Sequence, residues 1–311
     1  MKKKITILTP TFNEASNIEE LHRRISKVIN NKYKKYKFEH FIIDNASTDG
    51  TIEKIKKIAK KDKKVKAIFN MKNYGIVDSM MHAWKQVNTD ACIHIASDLQ
   101  DPPEVIPQLI KKWEDGYKIV VLVKEESEEK KIIFLFRKFY YHFLTRISET
   151  PPIKNSTGNG LIDRDVIKII SNIKDPLPFF RGLLVEIGFP IAKVYFKQSQ
   201  RNKGTSANSF YDLYDFAMMG VTNHSKLPIR ILSIFGFILS LISFVLAIIY
   251  LFLKFIFWDS FEAGVAPILI GLFFFASIQM FFLGVIGEYI AVIYTRVRGK
   301  PPVIESERTN F

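Results

Sequence analysis

The residues best placed to do chemistry lie in one short stretch, IHIASDLQDPPE, Ile93 to Glu104. An apolar strand pattern ends there in Asp98, Gln100, Asp101 and Glu104. Pro102 and Pro103 follow, fixing the backbone in a way that suits a helix start. A carboxylate at the carboxyl end of a strand in an α/β sheet sits where such folds bind ligands. Hard oxygen donors two residues apart, Asp98 and Gln100, suit Mg²⁺ or Mn²⁺, ions that usually hold a substrate diphosphate. An acidic, solvated loop between strand and helix reads the same way.

The elements that must position this stretch alternate. Strands are expected over Ile5–Thr9, Glu39–Asp44, Val65–Asn70 and Ala91–Ala96. Helices are expected over Asn13–Ile29, Thr51–Lys60 and Ile76–Val87; in the first, Ile18, Leu21, Ile25 and Val28 share one face. Such alternation argues for a parallel sheet with helices on both faces. Three further strand ends are polar: TPTFNE (Thr9–Glu14), IIDNASTDGT (Ile42–Thr51) and NMKNYG (Asn70–Gly75). Pro10 and Glu14 form a plausible edge of a nucleotide pocket, though Asn13 and Glu14 also suit a helix start. Asp44 ends its strand and is placed for a ligand, whereas Asp49 reads as a helix cap. Lys72 is available to an anionic group. Four such ends on one sheet edge define a site.

Charge is distributed unevenly. The net charge is +14, yet Ile231–Leu253 and Gly264–Gly287 contain no charged residue. Each run is about 23 residues, enough to cross about 30 Å of hydrocarbon. Two transmembrane helices are expected, 229–254 and 265–295, joined by a short external loop, 255–264. Lys226 and Arg230 precede the first run, and Arg296, Arg298 and Lys300 follow the second, which places both ends in the cytoplasm. Trp258, Phe255 and Phe257 fit an interfacial belt. The chain opens with MKKK and runs directly into a strand, with no signal-peptide pattern. The basic balance points to a membrane surface and an anionic lipid in preference to nucleic acid. Residues 130–147, aromatic and basic without an acid, read as an amphipathic interfacial helix or as a core-facing one. Phe210–Met219 is a second candidate, within a juxtamembrane segment, 206–228. The single cysteine, Cys92, lies in an apolar strand and reads as core.

TPTFNE, IIDNASTDGT, NYG and DLQDPPE, in that order, resemble the inverting family 2 glycosyltransferases of the GT-A fold. With the paired apolar runs, the whole chain is most similar to the polyprenyl-phosphate glycosyltransferases. The resemblance implies a GT-A (Rossmann-like), mostly parallel α/β sheet over 1–205, a C-terminal two-helix hairpin, and a cytosolic tail, 296–311. It implies that Glu14 and Asp44 contact the nucleoside, with Pro10 and Lys72 beside them. It implies that Asp98 and Gln100 hold Mg²⁺ or Mn²⁺ on the diphosphate. GNGLIDRD (Gly158–Asp165) matches a segment carrying an acceptor-side aspartate, here Asp163, and FFRGL supplies Arg181. RNKGTS (Arg201–Ser206) matches a loop that holds the lipid phosphate, with Arg201, Lys203 and Ser206 as its candidates. Arg137 matches a second basic position there and serves equally as a headgroup contact. Ala96 and Asn45 stand where the family often has aspartates, which reduces the carboxylates available to a metal.

The expected partners are therefore a nucleotide sugar, UDP-linked by preference, a polyprenyl phosphate and the cytoplasmic membrane. Nucleic acid is excluded, and a homo-oligomer is compatible with the chain. The expected reaction is inverting attack of the lipid phosphate on the anomeric carbon. A phosphate monoester has a second pKa near ~6 and is largely a dianion at neutral pH. Asp163 is then expected to orient the acceptor more than to remove a proton, with the general-base role also open. The alternatives are transfer to a glycolipid or polysaccharide, and a nucleotide-sugar binder without catalysis.

Overall fold

Near-continuous apolar runs make the buried strands, and stripes of apolar residues make the helices that cover them. In the computed structural model, residues 2–33, 35–125, 153–173, 175, 178, 180–198, 227–256, 265–298 and 302–311 are described. The chain begins β1 (Lys4–Thr11), α1 (Ile18–Lys32), β2 (Lys37–Asp44), α2 (Thr51–Lys61), β3 (Val65–Asn70), α3 (Ile76–Gln86) and β4 (Ala91–His94). A 3-10 turn, Pro103–Val105, leads into α4 (Ile106–Glu114) and β5 (Ile119–Lys124). Then come β6 (Ser156–Asp163), α5 (Arg164–Ser171), α6 (Phe180–Glu186) and β7 (Ile191–Phe196). Two long helices, α7 (Leu227–Ile256) and α8 (Val265–Val297), precede a last strand, β8 (Glu305–Thr309).

The first helix starts at Ile18 instead of Asn13. The Glu14 carbonyl accepts from the amides of Asn17 and Ile18, so residues 14–17 form a turn. On α1, Ile18, Leu21 and Ile25 are fully buried, as their spacing requires. They belong to an apolar cluster with α2 and α4 on one face of the sheet. A second cluster, centred on Trp84, Ile119, Val166 and Ile170, fills the other face under α3, α5 and α6. Each such side chain is worth about 1.5–3 kcal/mol when buried. Cys92 is buried in this second cluster.

The strand order is β7-β5-β6-β4-β1-β2-β3-β8. The run β4-β1-β2-β3 is parallel, as is β5–β7. However, β6 runs antiparallel to both β4 and β5, and β8 runs antiparallel to β3. The sheet is therefore mixed but mostly parallel, as expected: six of its eight strands run one way, and β6 and β8 are reversed. The sequence of β6, STGNGLID, has little strand pattern because two glycines interrupt it. Gly160 is required: its φ is +146°, and a Cβ there would lie 2.0 Å from the Val120 carbonyl oxygen.

The chain divides into two compact units. One holds the sheet with α1–α6 and β8; the other holds α7 and α8. The segment read as a cytosolic tail, 296–311, supplies an edge strand of this sheet. In the second unit, Phe235 and Phe282 pack edge to face with centroids 6.2 Å apart. Its outer side chains are apolar and exposed, as at Phe237 and Met280. Among the described residues, one stretch, Phe274–Thr295, is long and apolar enough to cross a membrane; in α7 the described apolar stretch is Ile229–Leu239. Residues 130–147 and Phe210–Met219, read as interfacial, lie outside the described residues.

Two predictions follow from the sheet. Gly160→Ala is expected to lose about 3 kcal/mol or more, because a backbone oxygen occupies the space. Gly116→Ala, at φ +98° with nothing within 4 Å, should lose only about 1 kcal/mol. Urea titration of both variants measures the difference. The second concerns two buried histidines. Burial lowers His40 to about 3, helped by neighbouring His22, and lowers His94 to about 4. The unfolded chain binds these protons near ~6.5, so stability is full above that pH and falls as pH drops toward 4. Melting curves between pH 8 and pH 4.5 should show this loss, and His94→Gln should make it shallower.

Candidate active site

The site begins where β4 parts from β1. The two strands pair from Ile5↔Ala91 to Leu8↔His94, and the Ile95 amide still bonds the Leu8 carbonyl at 3.0 Å. Pro10 has the strand parity of Leu8, so its missing N–H faces the side that β4 has left. On the other side β1 continues against β2 as far as Thr11↔Asp44. A crevice therefore opens beyond the carboxyl ends of β1 and β4, at the point where the strand order reverses. The loops around it hold three non-glycine residues in the left-handed region: Asn13 (φ 53°), Ala46 (φ 62°) and Leu99 (φ 61°). Such conformations cost of order 1–3 kcal/mol each and cluster at functional sites.

On the β1–β2 side the polar groups form one network. Asp44 is fully buried and accepts from the Ser47 amide at 2.9 Å and the Ser47 hydroxyl at 2.6 Å. Burial pushes its carboxyl above the ordinary range, against the Ser47 bonds. Glu14 is buried and accepts from Asn17 Nδ2 at 2.5 Å. Asp49 accepts from the amides of Ala15 and Thr51, so it ties the two loops and starts α2. The N-cap itself is Gly50, and Asp49, read as a cap, stands one residue before it. Asn45 latches the neighbouring loop: its Nδ2 donates to Asn73 Oδ1 at 2.7 Å, and its Oδ1 accepts from the Tyr74 amide at 3.0 Å. Lys72 lies in that loop, with Nζ 5.1 Å from the Tyr74 ring centroid.

Asp98 lies four residues past the end of β4. One of its oxygens accepts from the Gln100 amide at 3.1 Å. Gln100 Oε1 accepts from Gln198 Nε2 at 3.1 Å, which joins this loop to the end of β7. Asp101 is only 2% exposed and accepts from Asn159 Nδ2 at the start of β6. Burial pushes its carboxyl up to about 6; Asn159 opposes the rise, Asp98 adds to it, and Lys124 and Arg181 lower it. Arg181 lies over Gly158, whose Cβ would meet Arg181 Cγ at 3.3 Å. The ends of β4, β5, β6 and β7 thus gather Asp98, Asp101, Lys124, Asn159 and Gln198, with Arg181 beside them.

Among the described residues no cluster of three metal-ligating side chains occurs. An ionised carboxylate has about four lone-pair directions, and Asp98 shows one bond. Mg²⁺ is commonly held by one or two carboxylates together with substrate phosphates. The oxygen donors of Asp98 and Gln100 fit that arrangement.

The structure separates Asp163 from this site. It pairs with Ala91, the first residue of β4, whereas Asp98 lies beyond the last. Strand β4 between them spans on the order of 10 Å, and Asp98 lies in the loop beyond it. Because β6 is antiparallel to β4, its carboxyl end reaches the opposite sheet edge. There Asp163 caps α5 by accepting from the Asp165 amide at 3.0 Å, and accepts from Trp113 Nε1 at 2.7 Å. Asp163, expected on the acceptor side, therefore lies at the edge away from Asp98. The same segment supplies Asn159 to the site instead. No local pattern marks Asn159, whose position follows from the direction of β6. Arg137, Arg201, Lys203 and Ser206 lie outside the described residues.

The family model for glycosyl transferase family 2 matches residues 6–168. The chain is 30% identical over 301 residues to an uncharacterized glycosyltransferase, YkcC, of Bacillus subtilis, covering 95% of this chain and 91% of that one. It is 29% identical over 311 residues to the SfII prophage-derived bactoprenol glucosyl transferase of Shigella flexneri, covering 99% of each. Among solved structures, the mannosyltransferase PcManGT of Pyrobaculum calidifontis shares the fold, with TM-score 0.50 and 14% identity over 74% of this chain and 65% of that one. The chain belongs to glycosyl transferase family 2 and is a glycosyltransferase that uses a nucleotide-sugar donor.

Two substitutions distinguish the two sheet edges. Asp98→Asn is expected to lower turnover by at least about a hundredfold, the scale of losing one electrostatic stabiliser. Asp163→Asn should keep turnover, its pH profile and nearly all of its stability, because an asparagine oxygen can still accept from the Asp165 amide. A dead, well-folded Asp163→Asn would restore its acceptor-side role.

Proposed function

We propose that this family 2 enzyme transfers a sugar, with inversion, from a nucleotide donor to a polyprenyl phosphate at the cytoplasmic face of a membrane. The observation that carries this reading is the gathering of Asp44, Asp98, Asp101 and Asn159 at the carboxyl edge, in a chain that also carries two long apolar helices. The nucleoside lies against Glu14 and Asp44, beside Pro10 and Lys72. Asp98 and Gln100 hold the divalent ion, Mg²⁺ or Mn²⁺, which when bound neutralises charge on the departing diphosphate. The acceptor phosphate is held by Arg201, with Lys203, Ser206 and Arg137. A phosphate oxygen attacks the anomeric carbon, the bond to the nucleotide diphosphate breaks, and configuration inverts. A phosphate dianion attacks without giving up a proton, so no side-chain base is required.

The polyprenyl acceptor is supported by full-length similarity to proteins described as bactoprenol glucosyl transferases, at 28–29% identity. Membrane topology is supported by connectivity. β8 belongs to the same sheet as β1, and it follows α8 in the chain. A chain that leaves a folded domain and returns to complete its sheet crosses a membrane an even number of times. If α8 crosses, α7 crosses too, and the termini share one side. The lysines and arginines flanking the apolar runs support a cytoplasmic location for that side.

The test supplies radiolabelled UDP-sugars to membranes containing undecaprenyl phosphate. The expected product is organic-extractable and does not form in excess chelator. Label confined to a water-soluble polymer would identify a polysaccharide acceptor, and no transfer with any nucleotide sugar would leave a binder. For topology, an impermeant thiol reagent should label Ser260→Cys in intact cells and Glu307→Cys only after lysis.

A further inference from the structure

β8 and the residue before it reach the loop that carries Lys72. The Met71 amide donates to the Ile304 carbonyl at 2.9 Å, and the Ile304 amide donates to the Tyr74 hydroxyl at 3.2 Å. The Ser306 hydroxyl donates to the Phe69 carbonyl at 3.0 Å, at the irregular end of the β3–β8 ladder. The segment is itself firmly anchored. Glu305 meets His82 on α3 at 2.5 Å, and Asn310 Nδ2 donates to the Ala59 and Val65 carbonyls, both at 2.8 Å. The Phe311 ring meets Phe41 edge to face, with centroids 5.5 Å apart.

Tyr74 is where these contacts converge. Its hydroxyl accepts from Ile304, its amide is bonded to Asn45, and its ring lies under the Lys72 ammonium. The loop is gripped from β2 on one side and from the C-terminal segment on the other. An ammonium on a flexible four-carbon stem gains most from a fixed platform, because ordering it then costs less on binding.

We propose that Ile304–Phe311 is a positioning element of the nucleotide-sugar site: it holds Tyr74 in place and thereby sets the position of Lys72. The inference rests on the nucleotide-side reading of that loop.

The test uses the full-length enzyme in detergent and cuts the contact from each side. Tyr74→Phe keeps the ring and removes the hydroxyl; Ile304→Pro removes the amide donor. Both should raise the calorimetric Kd for UDP, and KM for the nucleotide sugar, by about three- to tenfold, the scale of one hydrogen bond. Both should leave kcat unchanged and speed amide exchange over residues 71–75. Glu307→Gln, which removes an exposed ion pair with Lys56 elsewhere on β8, should change none of these. Unchanged UDP affinity in Ile304→Pro overturns the proposal, because a loss confined to Tyr74→Phe would mean that the hydroxyl meets the nucleotide directly. An equal loss in Glu307→Gln overturns it by showing general loosening of the strand. A wild-type enzyme that binds neither UDP nor GDP overturns the nucleotide-side reading itself, and is recognised before any variant is compared.

Discussion

The parting of β4 from β1 beyond Leu8 is the constraint on which the site depends. While the strands are paired, the edge between them has no space for a ligand. Once β4 turns away at Ile95, β1 continues alone against β2, and Pro10 occupies the position whose N–H would otherwise lack a partner. A proline in a central strand normally breaks a ladder; here the ladder has already ended on that side. The crevice then needs loops that turn sharply, and Asn13, Ala46 and Leu99 supply them in the left-handed region. Their strain is held by the two large apolar clusters on either side of the sheet and by the side-chain ties between loops, such as Asn13 with Ser47 and Thr48.

The donor half of this arrangement was legible because its signals are local. Apolar strands ending in Asp44 and Asp98 alternate with helices at regular spacing, and that pattern alone implies which sheet edge collects them. Asp49 shows its role at the start of α2 by its position just before the N-cap. What could not be read depends on long-range pairing. β6 has little hydrophobic alternation, so its direction, and with it the placement of Asn159 and Asp163, is fixed only by its ladders to β4 and β5. β8 is polar along most of its length, as an exposed edge strand is, and resembles an ordinary tail. Asp163 shows the consequence: a motif can sit intact in the sequence while its carboxylate caps a helix on the far edge.

The same ladders explain how a chain with two separate units keeps one sheet. Residues before and after the long helices both belong to the unit that holds β1. Strand β8 closes the edge beside β3, where an open strand would otherwise expose unpaired amides and carbonyls. Polar anchoring suits that position, since Glu305 bonds His82, Arg308 donates to Gln86 and Asn310 donates to the Ala59 carbonyl without adding an apolar face. The sheet edge is thereby capped by chain that has already passed through the apolar helices.

The β4–β7 part of the edge combines carboxylates, Asp98 and Asp101, with amides and cations. Asn159, Gln100 and Gln198 offer neutral donors and acceptors, while Lys124 and Arg181 offer positive charge. A site whose task was to remove a proton from a hydroxyl would need a base with a suitable pKa within hydrogen-bond reach of it. A phosphate acceptor poses a different problem, because it arrives as an anion at a site that already binds a diphosphate. Repulsion between two such groups a few ångströms apart grows as water is excluded. Cations then do more for the reaction than another carboxylate could. On the proposed phosphate-acceptor reading, Asp163 at the far edge adds no negative charge where the two anions would meet.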